Sequence, residues 1–240
     1  MFAGVLCTSN RRTPKQWFDV SRIQATFYHR GHADVRGHWH GASGACVAAE
    51  VFNAPWSLHT SAVPLVSDAS IVAFWGRLHE RETLCRKLGL PGGASDYPDA
   101  RLIQVAWARW RSDMAQHLKG SFAIAVLCIK SGSLFLMRDP VGTKPLYFWK
   151  HADGFLYGCS ARFFTQLSDL HPSTDPNWIA SHFARLSPSR EKTAYQEVEK
   201  LPGGCTAEIT KNGSVQIKPF HSWDDNAPLD PLAAGVSAYR

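Results

Sequence analysis

The chain has 240 residues, of which 45% are hydrophobic, 12% aromatic and 19% charged. That is the balance of an ordinary globular protein, long enough to bury a core without disulfides or metals. The formal charge of +6 is carried by 26 lysines and arginines spread along the chain, with no basic run beyond Arg11-Arg12, so no nucleic-acid partner is indicated.

No apolar run reaches the length of a membrane span, and the first residues lack the layout of a signal peptide. No membrane partner is expected, and a reducing cytoplasm fits the cysteines. All six (Cys7, Cys46, Cys85, Cys128, Cys159 and Cys205) lie outside any CxxC pair, several inside apolar runs, and read as buried free thiols.

In chain order, "KQWFDVSRIQATFYHRG" carries a loose helical stripe through Trp17, Val20, Ile23 and Phe27. The histidines of "HRGHADVRGHWH" (His29, His32, His38, His40) include a His-x-His pair, which on a strand would turn both rings to one side. No acidic or cysteine ligand stands at convincing spacing, so no metal is expected. "DARLIQVAWARW" places Leu102, Ile103, Ala106, Trp107 and Trp110 on one helical face.

The second half reads as hairpins. "SFAIAVLCI" and "SLFLMR" are β-type runs around Lys130, Ser131 and Gly132. "PLYFW" and "GFLYGCS" flank "KHAD". "TAEIT" and "SVQIKPF" flank "KNG", where Asn212-Gly213 would supply the positive φ angles of a tight hairpin. Between the last two hairpins, "TDPNWIASHFARL" offers Thr174 or Asp175 as N-cap, Pro176 in the first turn, and a stripe through Trp178, Ile179, His182, Phe183 and Leu186. Helices in the first half and strands throughout give an α+β layered fold. The glycine loops "LPGGCT" and "PGGASD" lack the Lys-Ser/Thr of a phosphate-binding loop.

With these segments laid out, "FLMRDPVGTKPLYFW" followed by "GFLYGCSARFF" resembles the "ARDRFGIKPLYY … FASEIKAL" signature of the class II glutamine amidotransferase domain of the asparagine synthetase family. "HRGHAD", "FWGRLHERETL", "PDARLIQVAWARW", "HLKGSFAIAV" and "VEKLPGGCTAEI" stand in family order over nearly the whole chain. The resemblance implies an N-terminal nucleophile hydrolase-like fold, a four-layer αββα sandwich of two antiparallel sheets with helices outside. It implies an amidotransferase-like domain over residues 1–223, with 224–240 a linker toward a missing or separate synthetase domain. Arg138, Asp139, Gly142, Lys144 and Pro145 then form a structural signature, in which Arg138 and Asp139 satisfy each other and fix a turn.

Active members expose a cysteine as first residue after methionine removal, with its own α-amino group as base. Where the family has "MCGI", this chain has "MFAG": Phe2 or Ala3 takes the nucleophile position, depending on alignment, and neither can attack a carbonyl. Methionine removal needs a small second residue, so Met1 is expected to stay. Cys7 could substitute only after a cleavage that discards half a strand. The family's "NGE" turn, which supplies an oxyanion amide and a carboxylate for the substrate ammonium, reads Trp75, Gly76 and Arg77 here. The arginine that clamps the substrate carboxylate falls near Ala49 and Glu50, and Asp99 alone keeps its family identity.

The expected function is therefore a degenerate amidotransferase-like domain of an ATP-dependent amide-forming enzyme, acting as scaffold or substrate-peptide surface. The pattern of loss matches relatives such as β-lactam synthetases and lasso-peptide cyclases, which need no ammonia. The alternatives are an active glutaminase supplying ammonia, and a stand-alone module using the old pocket for another ligand. No cofactor is expected in this chain; ATP and Mg belong to an associated synthetase domain. The partners expected are that domain and, on the cyclase reading, a precursor peptide.

Overall fold

The first strand, "FAGVLC", is apolar without alternation, as a strand covered on both faces must be. The structure, a computed structural model, shows why. It describes residues 1–9, 11–12, 14–17, 35–40, 45–50, 64–167, 170–186, 189 and 191–222. Their strands are β1 (Phe2–Cys7), β2 (Val35–His40), β3 (Ala45–Glu50), β4 (Leu65–Val66), β5 (Ser70–Leu78), β6 (Gly120–Cys128), β7 (Ser133–Arg138), β8 (Tyr147–His151), β9 (Gly154–Gly158), β10 (Glu199–Lys200), β11 (Cys205–Ile209) and β12 (Val215–Pro219). The helices are α1 (Pro14–Trp17), α2 (Arg81–Leu88), α3 (Asp99–Trp110) and α4 (Pro176–Phe183). One antiparallel sheet runs β10-β8-β9-β1-β3-β2 and the other β12-β11-β7-β6-β5-β4.

The faces of each sheet follow from the register. A Cβ on Gly154 would meet the Trp17 ring of α1 at 2.9 Å, and one on Gly158 would meet Phe163 and the Ala3 Cβ. The Ala3 side of the first sheet is thus the helix side. Phe2, one residue earlier, points to the opposite face, where it lies 6.3 Å from the Tyr157 ring. In the second sheet, the Trp107 ring of α3 lies 5.0 Å from Phe135, and Phe135 pairs through Val126 to Val72. Trp75 lies three residues from Val72 and so faces away from α3. The two remaining faces are turned to each other, with β1 against β5. This is the expected αββα arrangement.

All three hairpins form. The third differs in its turn: Gly213 has φ +80°, but Asn212 is not in the left-handed region. The loop is longer than two residues, with Gly213 N–H donating to Thr210 O and Thr210 N–H to Ser214 O, so one positive φ suffices. α3 buries Leu102, Ile103, Ala106 and Trp107, as its spacing predicts. α1 covers the start of the first predicted helix; Val20, Ile23 and Phe27 lie outside the described residues, as do His29, His32 and the boundary at 223. α2 was not read from the sequence. Its signals were Leu84, Cys85 and Leu88, all buried, and Gly89 closing the helix at φ +68° with bonds back to Arg86 O and Cys85 O.

Candidate functional site

The signature turn after β7 organises one end of the inter-sheet space. Arg138 is buried and donates from Nε to Lys144 O (2.7 Å), from Nη1 to Leu201 O (2.7 Å) and from Nη2 to Gly142 O. Asp139, 0% exposed, accepts from Thr143 N at Oδ1 (3.0 Å) and from Phe122 N and Lys144 N at Oδ2 (3.2 Å each). The expectation that these two side chains satisfy each other is corrected here: each is satisfied by backbone, because the turn brings carbonyls to one and N–H groups to the other. Burial holds the Arg138 pKa below its ordinary value, and Asp139 acts against that shift. Gly142 is needed at φ +72°, where a Cβ would come within 3.0 Å of the Arg138 guanidinium carbon. Pro145 lies between this turn and β8.

Trp75 pairs with Ala123, which pairs with Arg138. Residues directly opposite share a face, so Trp75, Ala123 and Arg138 form one row turned toward the first sheet. The Lys144 ammonium sits 4.9 Å from the Trp75 ring, a cation–π contact. On the first sheet, the backbone register pairs Phe2 with Ala49 and Ala49 with Arg36. The loosest part of the sequence alignment, Ala49 and Glu50, thus falls beside Phe2 in the backbone. Arg36 was not singled out from sequence; only the register pairs it with Ala49. Ala3, the other candidate for the nucleophile position, packs toward Phe163 on the helix side.

Two buried thiols lie along the first sheet. Cys159 follows β9, is buried, and donates its backbone N–H to Phe2 O (2.9 Å). Burial pushes its thiol up to about 12, against the pull of the chain's α-amino group and of Arg138 and Lys144. Cys7, at the far end of β1, is pushed up to about 11, again chiefly by burial. Protonated, enclosed thiols at these values are poor nucleophiles.

Asp99 opens α3 and is 5% exposed. Its Oδ2 accepts from Leu78 N (3.0 Å), and its Oδ1 lies 2.7 Å from Arg81 Nε as a close ion contact without hydrogen-bond alignment. Arg81 also donates to Tyr97 O. Arg77 is exposed on an open cleft of about 590 Å³ that it shares with His79, Glu80, Arg81, Glu82 and Ser95. Glu80 is engaged by Lys119 (2.8 Å) and Glu82 by the Ala94 N–H (3.0 Å). Gly76 lies so close to β6 that a Cβ would fall 2.0 Å from Ser121 O.

Comparison with known proteins agrees with this geometry. The family model for the glutamine amidotransferase domain matches residues 2–221. The chain belongs to that family. The amidotransferase domain is 29% identical over 124 residues, 51% of its length, to asparagine synthetase (glutamine-hydrolysing) 3 of Bacillus subtilis strain 168. It is 27% identical over 240 residues, 90% of its length, to a Mycobacterium bovis protein named for glutamine-hydrolysing asparagine synthetase. The matches span 20% and 37% of those relatives. Among solved structures, glutamine phosphoribosylpyrophosphate amidotransferase of B. subtilis aligns over 92% of the domain and 49% of its own chain, with TM-score 0.55 and 12% identity. That likeness concerns the fold. No helix among the described residues is long and apolar enough to cross a membrane.

Proposed function

We propose that this amidotransferase domain has lost glutamine hydrolysis and serves an ATP-dependent, amide-forming synthetase as a scaffold or substrate surface. The observation that carries the reading is the Phe2 ring. It stands at the start of the first strand and is turned toward the second sheet, it is wholly buried, and it has neither thiol nor hydroxyl. Loss of a nucleophile lowers turnover by about a millionfold.

The remaining groups support the same reading. Where the family resemblance implies an oxyanion amide stands Trp75, under the Lys144 ammonium. Where it implies a carboxylate for the substrate ammonium stands Arg77. Asp99, which keeps its family identity, is engaged by the Arg81 guanidinium 2.7 Å away and by the Leu78 N–H, so its carboxylate is taken up by the chain itself. ATP and magnesium are assigned to the synthetase partner. Among amide-forming enzymes, those whose substrate brings its own amine, such as lasso-peptide cyclases acting on a precursor peptide, fit a domain that supplies no ammonia.

The test is amide formation by the synthetase-type polypeptide from the same genome, in one chain or in complex with this domain. Product is expected with free ammonia or an amine-bearing substrate, and none with glutamine as sole nitrogen source. Product from glutamine would overturn the reading.

A further inference from the structure

On the helix side of the second sheet, a cavity of about 220 Å³ lies between α3 and the turn that joins β4 to β5. Arg101, Gln104 and Ala108 of α3 and Arg111 just beyond it recur three or four residues apart, the spacing that sets side chains along one helix face. Arg101 Nη1 lies 2.6 Å from Gln104 Oε1. A guanidinium carries donors only, so the amide atom facing it is the oxygen, and Nε2 is turned away from Arg101. That Nε2 belongs to a side chain 6% exposed and is buried with no acceptor among the described residues. Trp107, 8% exposed, walls the same cavity, and its indole N–H is also buried without an acceptor. Its ring is fixed by Phe135, with centres 5.0 Å apart, and by the Arg111 guanidinium 5.7 Å from the ring centre. The turn opposite supplies nothing to either donor, because Ser67 Oγ donates to Ser70 O (3.1 Å) and accepts from Ser70 N (3.2 Å).

We infer that this cavity binds an oxyanion, the carboxylate or phosphate group of a small molecule. Its wall holds donors and cations but no aspartate or glutamate. Among the described residues, neither Arg101 nor Arg111 is paired with a carboxylate. Buried N–H groups are paired in the great majority of folded proteins, and leaving one unmade is costly. Two such groups in one small cavity, beside two unpaired cations, call for the same missing partner. Water would accept from the N–H groups but would leave both guanidinium groups without a counter-charge; an oxyanion serves all four. Ser70 lies two residues before Val72 in β5 and so shares its helix-side face, whereas Trp75 is turned to the first sheet. The site is therefore separate from the row of Trp75 and Arg138, and it does not depend on the loss of glutamine hydrolysis.

The test is a titration of the 240-residue chain, labelled with 15N, with inorganic phosphate and separately with acetate, at constant ionic strength against chloride. The signals read are the Gln104 side-chain amide, identified by its absence in Gln104→Leu, and the Trp107 indole, identified by its absence in Trp107→Phe. A saturable shift of both signals with phosphate or acetate, and none with chloride, is the expected result. In Arg101→Gln and Arg111→Gln the same titration should be at least about tenfold weaker, with the unfolding midpoint in the absence of anion as before, because both arginines are exposed. Saturation by phosphate alone assigns a phosphate ester as the ligand class, and saturation by acetate alone a carboxylic acid. No saturable shift with either anion up to about 10 mM would overturn the inference and leave water as the partner of both N–H groups. Equal shifts in the chain and in its arginine variants, or with chloride, would mark a general ionic effect and would also overturn it.

Discussion

Replacing Asp139 with alanine removes the acceptor of three backbone N–H groups at once: Phe122, Thr143 and Lys144. The side chain is 0% exposed, so water cannot replace it at the Phe122 N–H without opening the turn. A buried donor left unpaired costs about 1–3 kcal/mol; the Phe122 donor is buried and those of Thr143 and Lys144 are part-buried, so the gross loss is about 3–7 kcal/mol. Two effects reduce it: a buried carboxylate no longer has to be desolvated, and the turn relaxes. A net loss of about 3–5 kcal/mol is expected, a large share of the 5–15 kcal/mol typical of a folded domain. Urea unfolding followed by tryptophan fluorescence measures it. Asp139→Asn keeps the size and one acceptor oxygen, and should lose about half as much. If Asp139→Ala cost less than about 1 kcal/mol, or if the asparagine variant were as unstable as the alanine one, the assignment of the carboxylate as the acceptor organising the turn would be wrong.

Four further outcomes are expected. Gly76→Ala places a Cβ 2.0 Å from Ser121 O on a backbone at φ +142°; a loss of about 3 kcal/mol or more, lowering Tm by about 6–12 °C, should appear in thermal unfolding. Arg81→Met strands the Asp99 carboxylate in a buried place and should cost about 3 kcal/mol, with much of it recovered when Asp99→Asn is added; a double-variant loss equal to the sum of the two single-variant losses would show that the pair is not coupled. Cys7 and Cys159 hold their protons more tightly folded than unfolded, with values raised from 9.0 to about 11 and about 12. Their contribution to stability is therefore unchanged below about pH 9 and declines above it, as the unfolded chain loses those protons first, which urea midpoints across pH 8–12 will register. At neutral pH a thiol reagent should reach Cys128 before either, because burial there is outweighed by hydrogen bonds at Ser131 that hold its pKa below the usual value.

Local patterns made most of the sheet legible. Continuous apolar runs such as "FAIAVLC" named strands covered on both faces, and short polar breaks named their hairpins. What sequence spacing could not show were relations set by the fold. The Arg81 contact with Asp99 joins residues on different helices. The row Phe2, Ala49, Arg36 exists only once β1, β3 and β2 are in register. The adjacent pair Arg138 and Asp139 suggested mutual neutralisation, yet a tight turn offers each a closer set of backbone partners. The α4 stripe predicted a buried face, yet none of the helix's residues is buried, because periodicity reports amphipathicity and says nothing of what covers it.

The measurement that bears most directly on the central claim is ammonia release from glutamine by the purified chain, with mass spectrometry of its N-terminus in the same sample. The account predicts no release above a heat-killed control and an intact Met1. Glutamine-dependent release, with a chain beginning at a residue that bears a nucleophile such as Cys7, would contradict it and restore a working glutaminase.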